Sequence, residues 1–287
     1  MARWLSSPDH PLTSRVLVNR IWQGHFVTGL VRSPNNFGLL GKRPVNQPLL
    51  DWLAVHFITN GWSIKKLHRT IMLSNTYQMS TKFDERAATV DPENRLYWRM
   101  NRRRLEAEAI RDAILAASGQ LDRKLGGTIL VSKPRAYITS TANRNYSRYE
   151  SRRRSIYLPV IRSALYEMFQ AFDFPDPSYP SGKRATTTVP SQSLFLMNSK
   201  FVHEQTRVMS EKLLALPMAD AERVRLLYRK LYGRWPTAGE QQRALGFVKR
   251  IGDALDWPGD KIEARRRRSW QSLCRVLIGT NEFVYVE

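Results

Sequence analysis

A chain of 287 residues with 42% hydrophobic and 25% charged side chains has the apolar content for a packed core, which excludes a mainly disordered protein. Its 46 Lys and Arg outweigh 25 Asp and Glu for a formal net charge of +21, and its single Cys, Cys274, excludes an intrachain disulfide framework and a multi-Cys zinc site. The longest uninterrupted apolar run, 113–117, is far short of a membrane span, and the first thirty residues (with Arg3, Asp9, His10, Arg15 and Arg20) contain no secretory h-region. Read literally, such a chain stays in the cytoplasm. Residues 1–9 read as the end of one helix running into a Pro-punctuated loop, as a segment cut from a longer chain would.

Most of the periodic signal is helical. Pro11 suits a first helical turn, and Val18, Trp22 and Phe26 then recur at four-residue spacing, predicting a helix over 11–26. Pro48 opens a second helix carrying Leu49, Trp52, Leu53 and Phe57, which Asn60-Gly61 ends. Ser63 caps a third with Ile64, Leu67 and Ile71 on one face. The clearest helix spans 105–118, stopped by Gly119, with Arg102/Glu106 and Arg104/Glu108 as i,i+4 surface pairs. The middle differs. Residues 128–131 and 155–161 read as two short strands, and 139–154 between them as a long polar loop. Three prolines exclude helix from 173–180. Helical patterns resume over 193–216, 221–232, 238–255 and 262–279.

One internal similarity stands out. Leu67, Arg69, Ile71, Asn75 and Tyr77 align with Leu273, Arg275, Leu277, Asn281 and Phe283, which suggests a duplicated three-helix unit. The predicted architecture is therefore mainly α, a helical domain with a small central β element and long loops. It is a single domain subdivided into an N-terminal helical unit (1–121), a strand-and-loop insert (122–190) and a C-terminal helical unit (191–287).

The chemistry-bearing motifs are few. None of the five histidines (His10, His25, His56, His68, His203) sits at metal-ligand spacing, and no cofactor loop or nucleophile elbow is present, so no metal site or cofactor is assigned. His10 and His56 read as structural, braced at a helix start and beside an apolar stripe. His25, at a helix end, is the most interesting of the five. Cys274 lies on a helix beside Leu273 and Leu277, where a buried inert thiol is expected. Asp173 and Asp176 read first as turn formers. Three Arg runs, 102–104, 152–154 and 265–268, are either a surface for a polyanion or solvated helix faces. Around the central loop, Tyr137, Arg144, Tyr146, Arg148, Tyr149, Arg152, Arg153, Arg154 and Tyr157 interleave stacking rings with guanidinium forks. That constellation is the candidate binding surface, for acidic polysaccharide or single-stranded nucleic acid. No RRM, KH or zinc-finger signature favours nucleic acid.

Long motifs carry a resemblance to a known family. HPLTSRVLVNRIW from His10, GLVRSPNNFGLLGKRP from Gly29, GWSIKKLHRTIMLSNTYQMS from Gly61, DPENRLYWRMNRRRLEAEAIRDAIL from Asp91, RRSIYLPVIR from Arg153, FDFPDP from Phe172 and the later TTVPSQSLFLMNS resemble the planctomycete-type domain of unknown function 1553. The chain departs from that pattern at Gln23-Gly24-His25, where paired histidines are common, and at Ser191, where a second Pro is common. The resemblance implies an exported multidomain protein in which this domain follows another uncharacterised one and often a c-type cytochrome domain. It implies no catalytic residues.

Two functions from different classes follow. The leading one is an accessory module binding an anionic polymer, acidic or sulfated polysaccharide, through the Arg/Tyr loop. The alternative is part of an exported, redox-linked enzyme completed by upstream cytochrome-bearing domains, with His25, Arg20, Glu106 and Arg111 as catalytic candidates. Nucleic-acid binding stands third.

Overall fold

The computed structural model describes residues 1–127, 129, 149–162, 165–255 and 261–286. It is mainly helical and divides into two compact units, one of residues 1–103 with 181–183 and one of residues 104–180 with 184–286.

The first unit contains α1 (Ala2–Leu5), α2 (Thr13–Phe26), α3 (Gln47–Thr59), α4 (Ile64–Met72) and α5 (Glu85–Val90). Its core is Val18, Trp22 and Phe26 of α2 against Leu50, Leu53 and Phe57 of α3 and Leu67 and Ile71 of α4, closed by Leu30 and Val31. His10 starts α2 as expected. Its Nδ1 accepts from the Leu12 and Thr13 amides at 3.2 and 3.0 Å while Trp4 packs edge-on against the ring. His56 is likewise structural, stacked on Trp52 and 3.1 Å from Thr70 Oγ1. Asn19 is fully buried, and its amide pairs with Val31 as a second strand would. Gly29 makes that approach possible, because a Cβ there would meet the Asn19 side chain at 2.6 Å.

The second unit contains α6 (Ala107–Ser118), α7 (Glu167–Ala171), α8 (Pro190–Asn198), α9 (Lys200–Leu214), α10 (Asp220–Tyr232), α11 (Ala238–Ala254), α12 (Ile262–Ile278) and α13 (Asn281–Val284). Fully buried Trp270 and Cys274 of α12 lie in one core with Ile110 and Ile114 of α6, Val202 and Met209 of α9 and Leu227 of α10. Burial pushes the Cys274 thiol up to about 12. Cys274 is therefore expected to stay unmodified by a thiol reagent in the native protein and to react at once in denaturant, which a mass shift would report. Arg234 ties α10, α11 and α13 together through Glu240 (2.7 Å) and Glu282.

Three expectations are corrected. The helix predicted over 193–216 is two helices. Ser199, extended at φ −66° and ψ 139°, ends α8 and caps α9 by accepting from the Val202 amide. Ser199→Ala is expected to cost about 1 kcal/mol in a denaturant titration. Residues 155–157 form a 3-10 turn, not a strand, because the Ser155 amide and hydroxyl bond Asp112 and the Leu158 amide turns back to the Ser155 carbonyl. Among the described residues, β structure in the middle is one isolated bridge, Asp122 to Arg153, while the two-residue strands β1 (Arg103–Arg104) and β2 (Tyr285–Val286) pair elsewhere. The strand predicted over 128–131 lies outside the described residues except for Ile129. Finally, Arg104 and Glu108 do not pair along one helix face, since α6 begins only at Ala107. Arg104 instead bonds Asp173 at 2.7 Å, and Glu108 takes Arg184.

The internal similarity extends to hydrogen bonding. After α4, the Ser74 hydroxyl donates to the Ile71 carbonyl at 2.6 Å and the Tyr77 amide to Ser74. After α12, the Thr280 hydroxyl donates to the Leu277 carbonyl at 2.8 Å and the Phe283 amide to Thr280. Leu67/Leu273 and Ile71/Leu277 are buried in their respective cores.

Candidate functional site

Within the second unit, the described part of the predicted Arg/Tyr loop lies against α6, and a buried guanidinium organises it. Arg111, 1% exposed, donates to the carbonyls of Ser151 and Arg153 (2.9 Å to the latter) and to the Ser155 hydroxyl at 3.2 Å. It also bonds the Tyr166 side chain, whose hydroxyl burial pushes above its ordinary range. Asp112, 3.5 Å from Arg111, fixes Ser155 from the other side. Arg111 is thus a bracket for the loop and for Tyr166.

Beside this bracket opens a cleft of about 1160 Å³. Tyr149 and Tyr166 stack in its wall, ring centroids 5.0 Å apart and planes within 20°. Lys200, His203 and Arg207 of α9, Arg268 and Gln271 of α12 and Arg152 of the loop also line it, together with Glu150, Glu167 and Glu204. Arg207 is paired with Glu211 at 2.8 Å. Arg268 is not paired with any carboxylate among the described residues; its Nη1 meets the Gln271 carbonyl oxygen at 3.3 Å. Behind it, Arg275 Nη1 lies 3.0 Å from His203 Nδ1. Burial first, then the charges of Arg275 and Arg268, lowers the His203 pKa, so the ring is neutral at pH 7 and accepts from the guanidinium. A lining guanidinium without a carboxylate partner among the described residues, an exposed Lys and a stacked aromatic wall can hold an anionic group and an apolar ring face in one place.

Of the predicted binding residues, Tyr149 and Arg152 line this cleft. Arg153 is occupied otherwise. It lies 4.2 Å over the Tyr157 ring and donates to the carbonyls of Lys124 (3.0 Å) and Gly126, so the two brace the loop. Arg154 is exposed. Tyr137, Arg144, Tyr146 and Arg148 lie outside the described residues. Sequence reasoning missed Tyr166, Lys200, His203 and Arg268. The Arg run 265–268 was visible, but the meeting of α9 with α12 was not. Of the catalytic candidates, Arg20 is exposed in the first unit, and Glu106 is exposed and 3.5 Å from Arg184 in the second. His25 pairs with His68, 2.7 Å apart.

Residues 1–248 match the family described as PSD1, protein of unknown function (DUF1553). The chain belongs to this family. No curated protein and no solved structure matches this DUF1553 chain. No described helix is long and apolar enough to cross a membrane.

Proposed function

We propose that this DUF1553 domain is a binding module for an anionic polymer, an acidic or sulfated polysaccharide, seated in the cleft between the Tyr149–Tyr166 stack and Arg268. The observation that carries it is Arg268, which has no carboxylate partner among the described residues, lining with His203 (backed by Arg275) a cleft walled by stacked tyrosines. Guanidinium forks take carboxylate or sulfate oxygens, and the flat tyrosine face takes the apolar side of a sugar ring. The net charge of +21 draws such a polymer to the surface at low salt. Family membership and the resemblance support a further part of the proposal, that the module works beside cytochrome-bearing domains of an exported planctomycete-type protein. The coding sequence upstream tests that part.

The binding test is retention on a heparin gel against a salt gradient. Arg268→Ala and Arg152→Ala, both at exposed positions, are expected to elute at lower salt than the wild type, with unchanged melting. Substitution of an exposed cation that does not line the cleft, Lys65→Ala, leaves the elution position in place if the cleft is the site. Equal losses for all three variants would mean diffuse charge attraction and would overturn the proposal.

A further inference from the structure

We propose that the His25–His68 pair and the neighbouring Arg103 guanidinium form an oxyanion site in the first unit that loads together with a proton. His25 ends α2 and His68 lies in the middle of α4, and one nitrogen of each ring is used in the 2.7 Å bond between them. Tyr77 closes on His25 edge-on at 5.3 Å between ring centroids. Arg103 donates to the Gly24 carbonyl and keeps its remaining N–H groups without a protein partner among the described residues. His25 Nδ1 and His68 Nε2 are likewise without one, and both rings are half-buried.

Among the described residues, no carboxylate acts on His25. Neither α2 nor α4 contains an Asp or Glu, and the other ionisable groups on these helices are Arg15, Arg20, Lys65, Lys66 and Arg69; α3, packed on both, brings Asp51, which is bonded to Arg15, and His56, which is bonded to Thr70. Burial first, then His68, then Arg103, lowers the His25 pKa below its ordinary 6.5. A first added proton leaves the N–H···N bond intact but creates an imidazolium beside a guanidinium with no countercharge among the described residues. A carboxylate, sulfate or phosphate oxygen supplies that countercharge, accepting from the imidazolium and from the guanidinium fork. Protonation and anion binding therefore strengthen each other by the same factor. A metal ion fits less well. Two ligand nitrogens about 2.0–2.1 Å from one ion stand farther apart than a shared hydrogen holds them, and Arg103 repels a cation.

The sign of the pH dependence follows. The unfolded chain protonates His25 near the ordinary value, and the folded ring resists. Without an anion, the first unit loses stability as pH falls from 6.5 through the lowered folded value, and an oxyanion restores it.

The probe is inorganic sulfate, titrated calorimetrically into the whole chain in the Arg268→Ala background, so that the cleft does not contribute. Affinity is expected to be at least about tenfold higher near pH 5.5 than near pH 8, with proton uptake seen as a buffer-dependent heat. His25→Gln abolishes the pH dependence, and Arg103→Gln, an exposed change that spares the core, weakens binding about tenfold near pH 5.5. A sulfated oligosaccharide in a second arm separates a free-anion site from one that takes a polymer-borne group. Sulfate binding that is absent near pH 5.5, independent of pH, or untouched in both His25→Gln and Arg103→Gln overturns the proposal, and leaves the reading of the cleft standing.

Discussion

Arg111→Met is expected to lower the stability of the second unit by about 3–5 kcal/mol in a denaturant titration. The methionine keeps the apolar stem but removes the fork. The carbonyls of Ser151 and Arg153, the Ser155 hydroxyl, the Asp112 carboxylate and the Tyr166 hydroxyl then lose their donor or partner at one stroke. A buried acceptor left unpaired costs its desolvation, which makes this loss larger than the net worth of the same bonds. The Tyr149–Tyr166 stack depends on the same bracket, so glycan retention falls along with stability. A loss below about 1 kcal/mol would mean that the loop is held by other contacts and that Arg111 is not its organiser.

Trp270→Ala is the second large effect, with an expected loss of about 3–5 kcal/mol. Trp270 is fully buried on α12 in the core it shares with α6, α9 and α10, where collapse cannot fill an indole-sized void. Its indole N–H has no acceptor among the described residues. Trp270→Phe should therefore cost much less than Trp270→Ala, because it removes an unpaired buried donor while keeping most of the ring. Thermal unfolding of the two variants side by side reads the difference. Equal losses would show that the N–H is satisfied in solution.

Regular helices were legible where an apolar stripe and a terminal signal coincide. Ser63 and Gly119 do mark the start of α4 and the end of α6, and the Leu67/Ile71 and Leu273/Leu277 stripes are the buried faces. Periodicity ran on through Ser199, because a helix break that keeps the apolar face in register leaves no trace in spacing alone. Residues 155–161 look β-branched and aromatic, yet Asp112 holds Ser155 in a turn, a bond made across more than forty residues that no local pattern contains. The site was half visible for the same reason. Tyr149 and Arg152 sit in a suggestive composition, whereas Tyr166, His203 and Arg268 become neighbours only through the packing of α9 on α12. Arg111, weighed as a catalytic candidate, proves to be the residue that shapes the cleft wall, a role set entirely by long-range carbonyl partners.

The most direct measurement of the central claim is a structure of the whole chain with an acidic oligosaccharide bound at physiological salt. The account predicts a sugar ring on the Tyr149–Tyr166 wall with its carboxylate or sulfate on Arg268. An oligosaccharide bound elsewhere, with the cleft holding only water, would contradict it.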